Sequence, residues 1–138
     1  MKNELSNELR QKLIGLARQA REKAYAPYSG YQVGAALLTT SGKIFTGCNV
    51  ESAAYPTSMC AERVAVFKAV SEGEREFVAI AVVTSNGATP CGACRQVLAE
   101  FGGETRVVVA DDEGHIKQEA ELTELLPGAF GPEDLGKL

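Results

Sequence analysis

The stretch from Phe77 to Cys94, FVAIAVVTSNGATPCGAC, decides the fold class of this chain. Its first eight residues, 77–84, are mostly apolar, which is typical of a strand buried on both faces of a sheet. It ends on a C-x-x-C pair, Cys91 and Cys94, and the sequence predicts a short helix from Gly92 to about Phe101. A buried strand followed by a helix that begins at two cysteines indicates an α/β fold with chemistry at the start of that helix.

Segments on both sides of this stretch alternate between strand and helix patterns. Leucines recur at helical spacing over residues 4–24, and Pro27 cannot continue that helix. The other predicted elements are strands over 33–40, 43–50 and 106–110, a helix over 60–70, a short strand after the turn 111–114, and a helical turn over 122–126. This order predicts a three-layer α/β/α sandwich around a mixed sheet of about five strands. We expect residues 1–138 to form a single catalytic domain.

Three cysteines and one glutamate predict a metal site. Cys91 and Cys94 have the spacing with which two thiolates bind one metal ion, and Cys60 supplies a third thiolate. Three protein ligands leave one position of a tetrahedral zinc shell open, as in catalytic sites, whereas structural sites normally have four. Glu62 lies two residues from Cys60 and could reach a water molecule in the open position. We therefore predict a zinc ion that activates water, with Glu62 as the proton carrier.

The two segments that carry the cysteines both fall at predicted helix N-termini, where backbone N–H groups offset the negative charge of three thiolates. Arg63 and Arg95 each follow a motif residue directly and could donate hydrogen bonds to the sulfur atoms. The alternative is that both arginines are solvated residues on their helices. Arg63 is the stronger candidate of the two.

Composition narrows the function classes. The chain has 18 acidic and 14 basic residues and a net charge of −4, whereas a broad nucleic-acid interface needs a basic face. It contains no apolar run long enough to span a bilayer and no pattern of a signal peptide. Four cysteines in a chain without an export signal indicate a reducing compartment, where thiols bind metals more often than they form disulfides. We expect a cytoplasmic protein with neither nucleic-acid nor membrane partners.

Several motifs together resemble the zinc-dependent cytidine deaminases of free nucleosides. The metal motifs are Cys60-Ala61-Glu62-Arg63 and Pro90-Cys91-Gly92-Ala93-Cys94-Arg95-Gln96. The more specific stretches are Tyr25-Ala26-Pro27-Tyr28-Ser29, Val33-Gly34-Ala35-Ala36-Leu37, Gly47-Cys48-Asn49-Val50-Glu51 and Leu125-Leu126-Pro127-Gly128-Ala129-Phe130. The likeness covers residues 8–135. It implies hydrolysis of cytidine and 2'-deoxycytidine to their uridine forms, in pyrimidine salvage, with one Zn²⁺ per subunit.

The resemblance also implies roles for single residues. Asn49 and Glu51 would hydrogen-bond a ribose hydroxyl, and the backbone of Ala61 would meet the pyrimidine carbonyl. Tyr31 stands where an aromatic residue, often Phe, packs near the nucleoside. The family's shorter chains form homotetramers with shared active sites. Residues that would reach a neighbouring subunit's pocket are Ala53, Tyr55 and Phe130, the last of them against the base.

Other interpretations start from single residues. Cys48 could close a four-sulfur structural zinc site, which would make the chain a binding module, although a free cysteine is often a small buried apolar residue. Asn49 and Glu51 could instead cap the end of a strand. His115, the single histidine, follows an acidic turn and is predicted to be a solvated hairpin residue.

Two other deaminase classes are alternatives to cytidine. One acts on a different aminopyrimidine nucleoside, such as blasticidin S, and Glu51 disfavours it because a carboxylate suits a ribose hydroxyl. The other edits nucleic acids, which requires basic and aromatic surface for the flanking nucleotides. The acidic composition disfavours that second class.

Overall fold

The computed structural model describes residues 5–136, in which the chain forms four α-helices and five strands. The helices are α1 (Asn7–Arg21), α2 (Ala61–Ser71), α3 (Gly92–Ala99) and α4 (Leu122–Leu125). The strands are β1 (Gly34–Thr39), β2 (Ile44–Cys48), β3 (Phe77–Val83), β4 (Arg106–Ala110) and β5 (Ile116–Glu121). None of the helices in this part of the chain is long and apolar enough to cross a membrane.

Several elements are shorter than the sequence predicts, for local reasons. The first helix was expected over 4–24, of which residue 4 lies outside the described residues. It begins after Ser6, whose Oγ accepts a hydrogen bond from the Leu9 N–H at 3.2 Å, as an N-cap residue does. The second strand ends at Cys48 because the side chain of Asn49, in place of its backbone carbonyl, accepts the N–H of Val33 at 2.9 Å.

The five strands form one mixed sheet in the order β2-β1-β3-β4-β5. The β3–β4 pair is parallel and the other three pairs are antiparallel. Parallel neighbours need a crossover connection, and α3 lies in the segment that joins β3 to β4. All seven residues of β3 are buried, which explains the apolar run in the sequence. β2 and β5 are the edge strands.

Helices cover both faces of this sheet. Alternate residues of a strand point to opposite faces, so Ala36 and Leu38 of β1 pack with α1. On the other face, Ala35 and Leu37 pack with α2 and α3. The predicted three-layer α/β/α sandwich with five strands is therefore confirmed. The starts of α2 and α3, which carry the cysteine motifs, lie on the same side of the sheet.

Gly34 lets α1 approach β1 at backbone distance. A Cβ atom at this position would lie 2.0 Å from the carbonyl oxygen of Ala17 and 2.5 Å from the backbone nitrogen of Arg21, both in α1. We therefore predict that Gly34→Ala forces α1 away from the sheet and lowers the free energy of unfolding by about 1–3 kcal/mol or more. Urea denaturation of the two proteins measures this difference.

Gly15→Ala is the matched control, because Gly15 lies in α1 and a Cβ there has no atom within 4 Å. Replacing a glycine inside a helix by alanine stabilises by roughly 0.5–1 kcal/mol, so this variant should be at least as stable as the parent. A Gly34→Ala protein whose free energy of unfolding lies within about 0.5 kcal/mol of the parent's would contradict the packing argument.

Candidate active site

The starts of α2 and α3 bring three cysteines together. Cys60 is the N-cap residue of α2, Cys91 is that of α3, and Cys94 lies in the first turn of α3. Cys91 Sγ lies 3.9 Å from Cys60 Sγ and 3.4 Å from Cys94 Sγ, and all three sulfur atoms lie within 4.8 Å of one another. Tetrahedral zinc with Zn–S bonds of about 2.3 Å places sulfur atoms about 3.8 Å apart. The thiol cluster therefore fits a zinc ion.

Neighbouring groups shift the pKa values of Cys60 and Cys94 in opposite directions. A hydrogen bond with Cys94, and then one from Arg63, lowers the pKa of Cys60 to about 5. The hydrogen bond with Cys60 and burial together raise the pKa of Cys94. Arg63 Nη2 lies 3.4 Å from Cys60 Sγ. The lowered pKa favours the thiolate form of Cys60, which is the form of cysteine that binds a metal.

Glu62 lies beside the thiols in the first turn of α2 and is only 4% exposed. Burial is the main reason that the pKa of its carboxyl is raised to about 7, and the nearby Cys60 charge raises it further. A carboxyl with a pKa near neutrality can both accept and deliver a proton. Ala61 is fully buried, and as the first residue of α2 it has a backbone N–H without a partner inside the helix.

A cleft of about 580 Å³ opens above the cluster, a volume suited to a small organic molecule. Its walls include Cys60, Glu62 and Cys91. Three of the residues predicted to bind substrate also line it, namely Tyr31, Asn49 and Glu51. Tyr55 lines it too, although the sequence predicted that Tyr55 reaches the pocket of a neighbouring subunit. Clustered thiols, a buried carboxyl with a raised pKa and polar side chains therefore meet in one concave site.

The sequence model of the family described as "Cytidine and deoxycytidylate deaminase zinc-binding region" matches residues 7–111 of this chain. The chain belongs to this family. The match includes all three cysteines of the cluster and Glu62. It accounts for the fit between the thiol cluster and zinc.

Other members of the deaminase family resemble the chain over nearly its whole length. A cytidine deaminase of Sporosarcina psychrophila is 53% identical over 128 residues, covering 91% of this chain and 93% of the relative. One of Halalkalibacterium halodurans is 55% identical over 129 residues, covering 91% and 97%.

Solved deaminase structures share the fold as well. The crystal structure of cytidine deaminase from Burkholderia pseudomallei matches with a TM-score of 0.84 and 47% identity, over 91% of this chain and all of that one. That of cytidine deaminase from Mycobacterium tuberculosis matches with a TM-score of 0.76 and 42% identity, over 87% of this chain and 95% of that one.

The two arginines of the deaminase motifs have different surroundings. Arg63 contacts the Cys60 thiolate, as the sequence suggested. Arg95 points elsewhere, since its Nε donates to the Pro90 carbonyl at 2.8 Å and its Nη1 donates to the Leu125 carbonyl at 2.8 Å. Its Nη2 donates to Thr89 Oγ1 at 2.9 Å. Arg95 therefore ties the loop before Cys91 to the C-terminal segment, and the hypothesis that it stabilises the thiolates is not supported.

Glu51 and Asn49 both line the deaminase cleft and both hold the loop before β1. Glu51 accepts hydrogen bonds from the backbone N–H groups of Tyr28 and Ser29, at 3.0 and 3.1 Å, and from the Ser29 hydroxyl. That hydroxyl is the largest cause of a lowered Glu51 pKa. Asn49 Nδ2 donates to the Tyr31 carbonyl at 2.8 Å. Each side chain keeps further capacity for a ligand, because an amide has two N–H donors and a carboxylate has about four lone pairs.

Sequence reasoning missed the residues that hold Tyr31. The Tyr31 hydroxyl donates to Asn86 Oδ1 at 2.7 Å, and the Tyr31 N–H donates to Ser29 Oγ at 3.0 Å. Thr84, also in the cleft wall, was predicted only as the end of a strand. Neither Asn86 nor Thr84 stands in a motif, so no pattern in the sequence could have identified them.

Ala53 and Phe130 do not line the cleft of their own chain. Both are exposed, and 57% of Phe130 is accessible. The carbonyl of Phe130 accepts a hydrogen bond from Gln96 Nε2 at 2.8 Å, which holds the tail against α3.

Cys48 is separate from the metal cluster. It lines a groove between α1 and α2 together with Leu16 and Lys23. Within the described part of the chain, the cysteines close enough to share a metal ion are Cys60, Cys91 and Cys94. The four-sulfur alternative is therefore not supported.

Proposed function

We propose that this protein is a zinc-dependent cytidine deaminase that hydrolyses cytidine and 2'-deoxycytidine to uridine and 2'-deoxyuridine with release of ammonia, in pyrimidine salvage. The observation that carries the proposal is the buried Glu62 beside three clustered thiols at the floor of one cleft. Relatives that are 53% and 55% identical and named cytidine deaminase support the choice of substrate.

In this proposal Cys60, Cys91 and Cys94 hold one Zn²⁺ per subunit, which when bound activates water for attack. Glu62 accepts a proton from the attacking water and delivers it to N3 of the cytosine ring. A C4–O bond forms. Glu62 then takes the proton of the new C4 hydroxyl and delivers it to the amino group, so that a C4=O bond forms as the C4–N bond breaks and ammonia leaves. The raised Glu62 pKa suits a group that must act first as a base and then as an acid. Arg63 offsets part of the thiolate charge.

The cleft walls orient the nucleoside. We propose that Asn49 and Glu51 hydrogen-bond the ribose hydroxyls, that the Ala61 N–H meets the pyrimidine carbonyl, and that Tyr31 packs against the nucleoside. Three of these side chains lie in the same cleft wall. The hydrogen bonds that they make with the loop before β1 fix them in place before a ligand enters.

We also propose a cytoplasmic homotetramer of single-domain subunits with shared active sites. Large aromatic side chains on the surface support an interface between copies: Tyr25, Tyr28, Tyr55 and Phe130 are each more than half exposed. In the tetramer Ala53 and Phe130 would reach the pocket of a neighbouring subunit, whereas Tyr55 lines the cleft of its own chain. The free thiols of all four cysteines agree with a reducing compartment.

The proposed reaction is tested by measuring uridine formation from cytidine with the purified, zinc-loaded protein. Glu62→Gln is assayed in parallel, so that activity from a contaminating enzyme is recognised by its survival in the variant. Turnover by the parent alone supports the proposal. A zinc-loaded parent that leaves cytidine and 2'-deoxycytidine unchanged would overturn it, and other aminopyrimidine nucleosides would be assayed next.

Phe130→Ala tests the shared site. Stacking of a base on an aromatic side chain contributes roughly 1–3 kcal/mol, so we predict that this variant raises KM for cytidine by about 5- to 150-fold. Leu135→Ala is the control, because Leu135 is a similarly exposed residue of the same C-terminal segment and is expected to leave KM unchanged. Size-exclusion chromatography with light scattering records whether each variant keeps the parent's oligomeric state. An unchanged KM in Phe130→Ala would contradict base stacking.

A further inference from the structure

A hydrogen bond joins two loops that bound the cleft. Tyr31 belongs to the segment before β1, and Asn86 belongs to the segment that follows β3. Residues of both segments form cleft walls, among them Tyr31 on the first and Thr84 and Ala88 on the second. The 2.7 Å bond from the Tyr31 hydroxyl to Asn86 Oδ1 therefore links one wall to the other.

Asn86 is itself held in place by a tight turn. Thr84, which is 2% exposed at the end of β3, accepts the N–H groups of Gly87 at 2.7 Å and Ala88 at 3.0 Å through its Oγ1. The same hydroxyl has one proton to donate, and it lies 3.2 Å from Asn86 Oδ1. Gly87 has a φ of +72°, which suits glycine at this point of the turn. Asn86 Oδ1 is thus an acceptor that is positioned before Tyr31 reaches it.

Tyr31 is fixed at three points. Its backbone N–H donates to Ser29 Oγ, its carbonyl accepts from Asn49 Nδ2, and its hydroxyl donates to Asn86. The first two contacts hold the backbone and leave the ring free to rotate about its side-chain bonds. Tyr31 is 37% exposed, so burial alone does not set the direction of its ring. The bond to Asn86 is the contact that directs the ring.

We propose that Asn86 is a positioning residue that holds the Tyr31 ring against the cleft before the nucleoside binds. This inference rests on the proposed function. Asn86 does not line the cleft, and its side chain hydrogen-bonds to Tyr31 and Thr84, not to Glu62 or the thiols. A ring that is already ordered removes an entropy cost from binding, so the effect falls on KM more than on kcat.

The test is a double-mutant cycle on cytidine deamination with Asn86→Ala, Tyr31→Phe and the double variant. A net hydrogen bond of roughly 0.5–1.5 kcal/mol corresponds to about a 2- to 12-fold rise in KM for each single variant. We expect the double variant to be no worse than either single one, because both remove the same bond. The dissociation constant of uridine, measured by calorimetry, should rise by the same factor.

Two further variants separate positioning from general damage to the turn. Asn86→Asp keeps an oxygen acceptor at Oδ1, which the hydroxyls of Tyr31 and Thr84 both reach, so it should retain a KM close to that of the parent. Ser85→Ala is the neighbouring control, since Ser85 is exposed and is expected to leave KM unchanged. Together these variants distinguish loss of the acceptor from any change in the loop.

Three results would overturn the inference while the parent remains active on cytidine. They are a multiplicative effect in the double variant, a loss in Asn86→Asp equal to that in Asn86→Ala, and a fall in kcat with no change in KM. A parent without activity on cytidine would instead overturn the proposed function, and this inference with it.

Discussion

Glu62→Gln loses nearly all turnover of cytidine while it keeps its zinc. We expect kcat to fall by more than the roughly 10²- to 10⁴-fold that one general acid–base group contributes, because Glu62 serves more than one proton transfer in the proposed mechanism. The amide of glutamine has nearly the same shape as the carboxyl but can neither accept nor deliver these protons. Glu62 is 4% exposed, so bulk water cannot easily replace it as the proton carrier. Uridine formation gives kcat, and mass spectrometry of the metal gives the zinc content.

Glu72→Gln is the matched control for this experiment. Glu72 lies at the C-terminal end of the same helix, α2, and is exposed, so the same chemical change there should leave kcat within about twofold. Turnover in Glu62→Gln within tenfold of the parent would reject the proton-carrier role. Loss of zinc in that variant would assign the defect to the metal site instead.

Cys94→Ala prevents stable zinc binding. Cys94 is completely buried, and its Sγ lies 3.4 Å from that of Cys91. Cys48, the remaining cysteine, lines a separate groove and cannot take its position. Loss of a group that only supports a ligand costs roughly 10- to 100-fold in metal affinity, and we expect loss of the ligand itself to cost more. Competition with a chromogenic chelator measures the affinity. Added zinc should raise the melting temperature of the parent and not that of the variant, because the ion stabilises the folded state that binds it.

Cys48→Ala is the control for the loss of a cysteine that lies outside the thiol cluster. Cys48 lies on β2 and outside the clustered thiols, so this variant should keep one zinc per chain and the parent's zinc affinity. A large loss of zinc affinity in Cys48→Ala would restore the four-sulfur alternative. Retention of tight zinc binding in Cys94→Ala would contradict the ligand set.

Local patterns in the sequence were enough to predict the sandwich and the grouping of the thiols. The apolar run of β3 and the recurring leucines of α1 are properties of neighbouring residues, so they predict strand and helix without knowledge of the rest of the fold. The C-x-x-C pair likewise lies within one helical turn. The boundaries were less accurate, since a single side-chain contact, such as that of Asn49 with Val33, ends a strand.

Contacts between distant segments could not be predicted in this way. Tyr31 and Asn86 are 55 positions apart, and Arg95 and Leu125 are 30 apart. Such pairs meet only because the fold brings distant segments of the chain side by side. The position of Arg95 directly after Cys94 suggested a contact with sulfur, but its guanidinium is directed toward backbone carbonyls instead. Residues next to one another in a motif can therefore serve different parts of the molecule.

The edge position of β2 has a consequence for aggregation. The Thr39 N–H donates to the Lys43 carbonyl, and hydrogen-bonded and non-hydrogen-bonded residue pairs alternate along β1 and β2 from there. Thr46, opposite Ala36, belongs to a non-hydrogen-bonded pair. Its backbone groups therefore point away from β1 and toward the open edge of the sheet. The Lys68 ammonium of α2 donates to the Thr46 carbonyl. The sequence of β2, IFTGC, carries no charge of its own, so this lysine from another layer occupies an acceptor that a strand from a second molecule would need. A protein without Lys68 would expose an uncharged edge strand with a free carbonyl, which could pair with a strand of another molecule at high concentration.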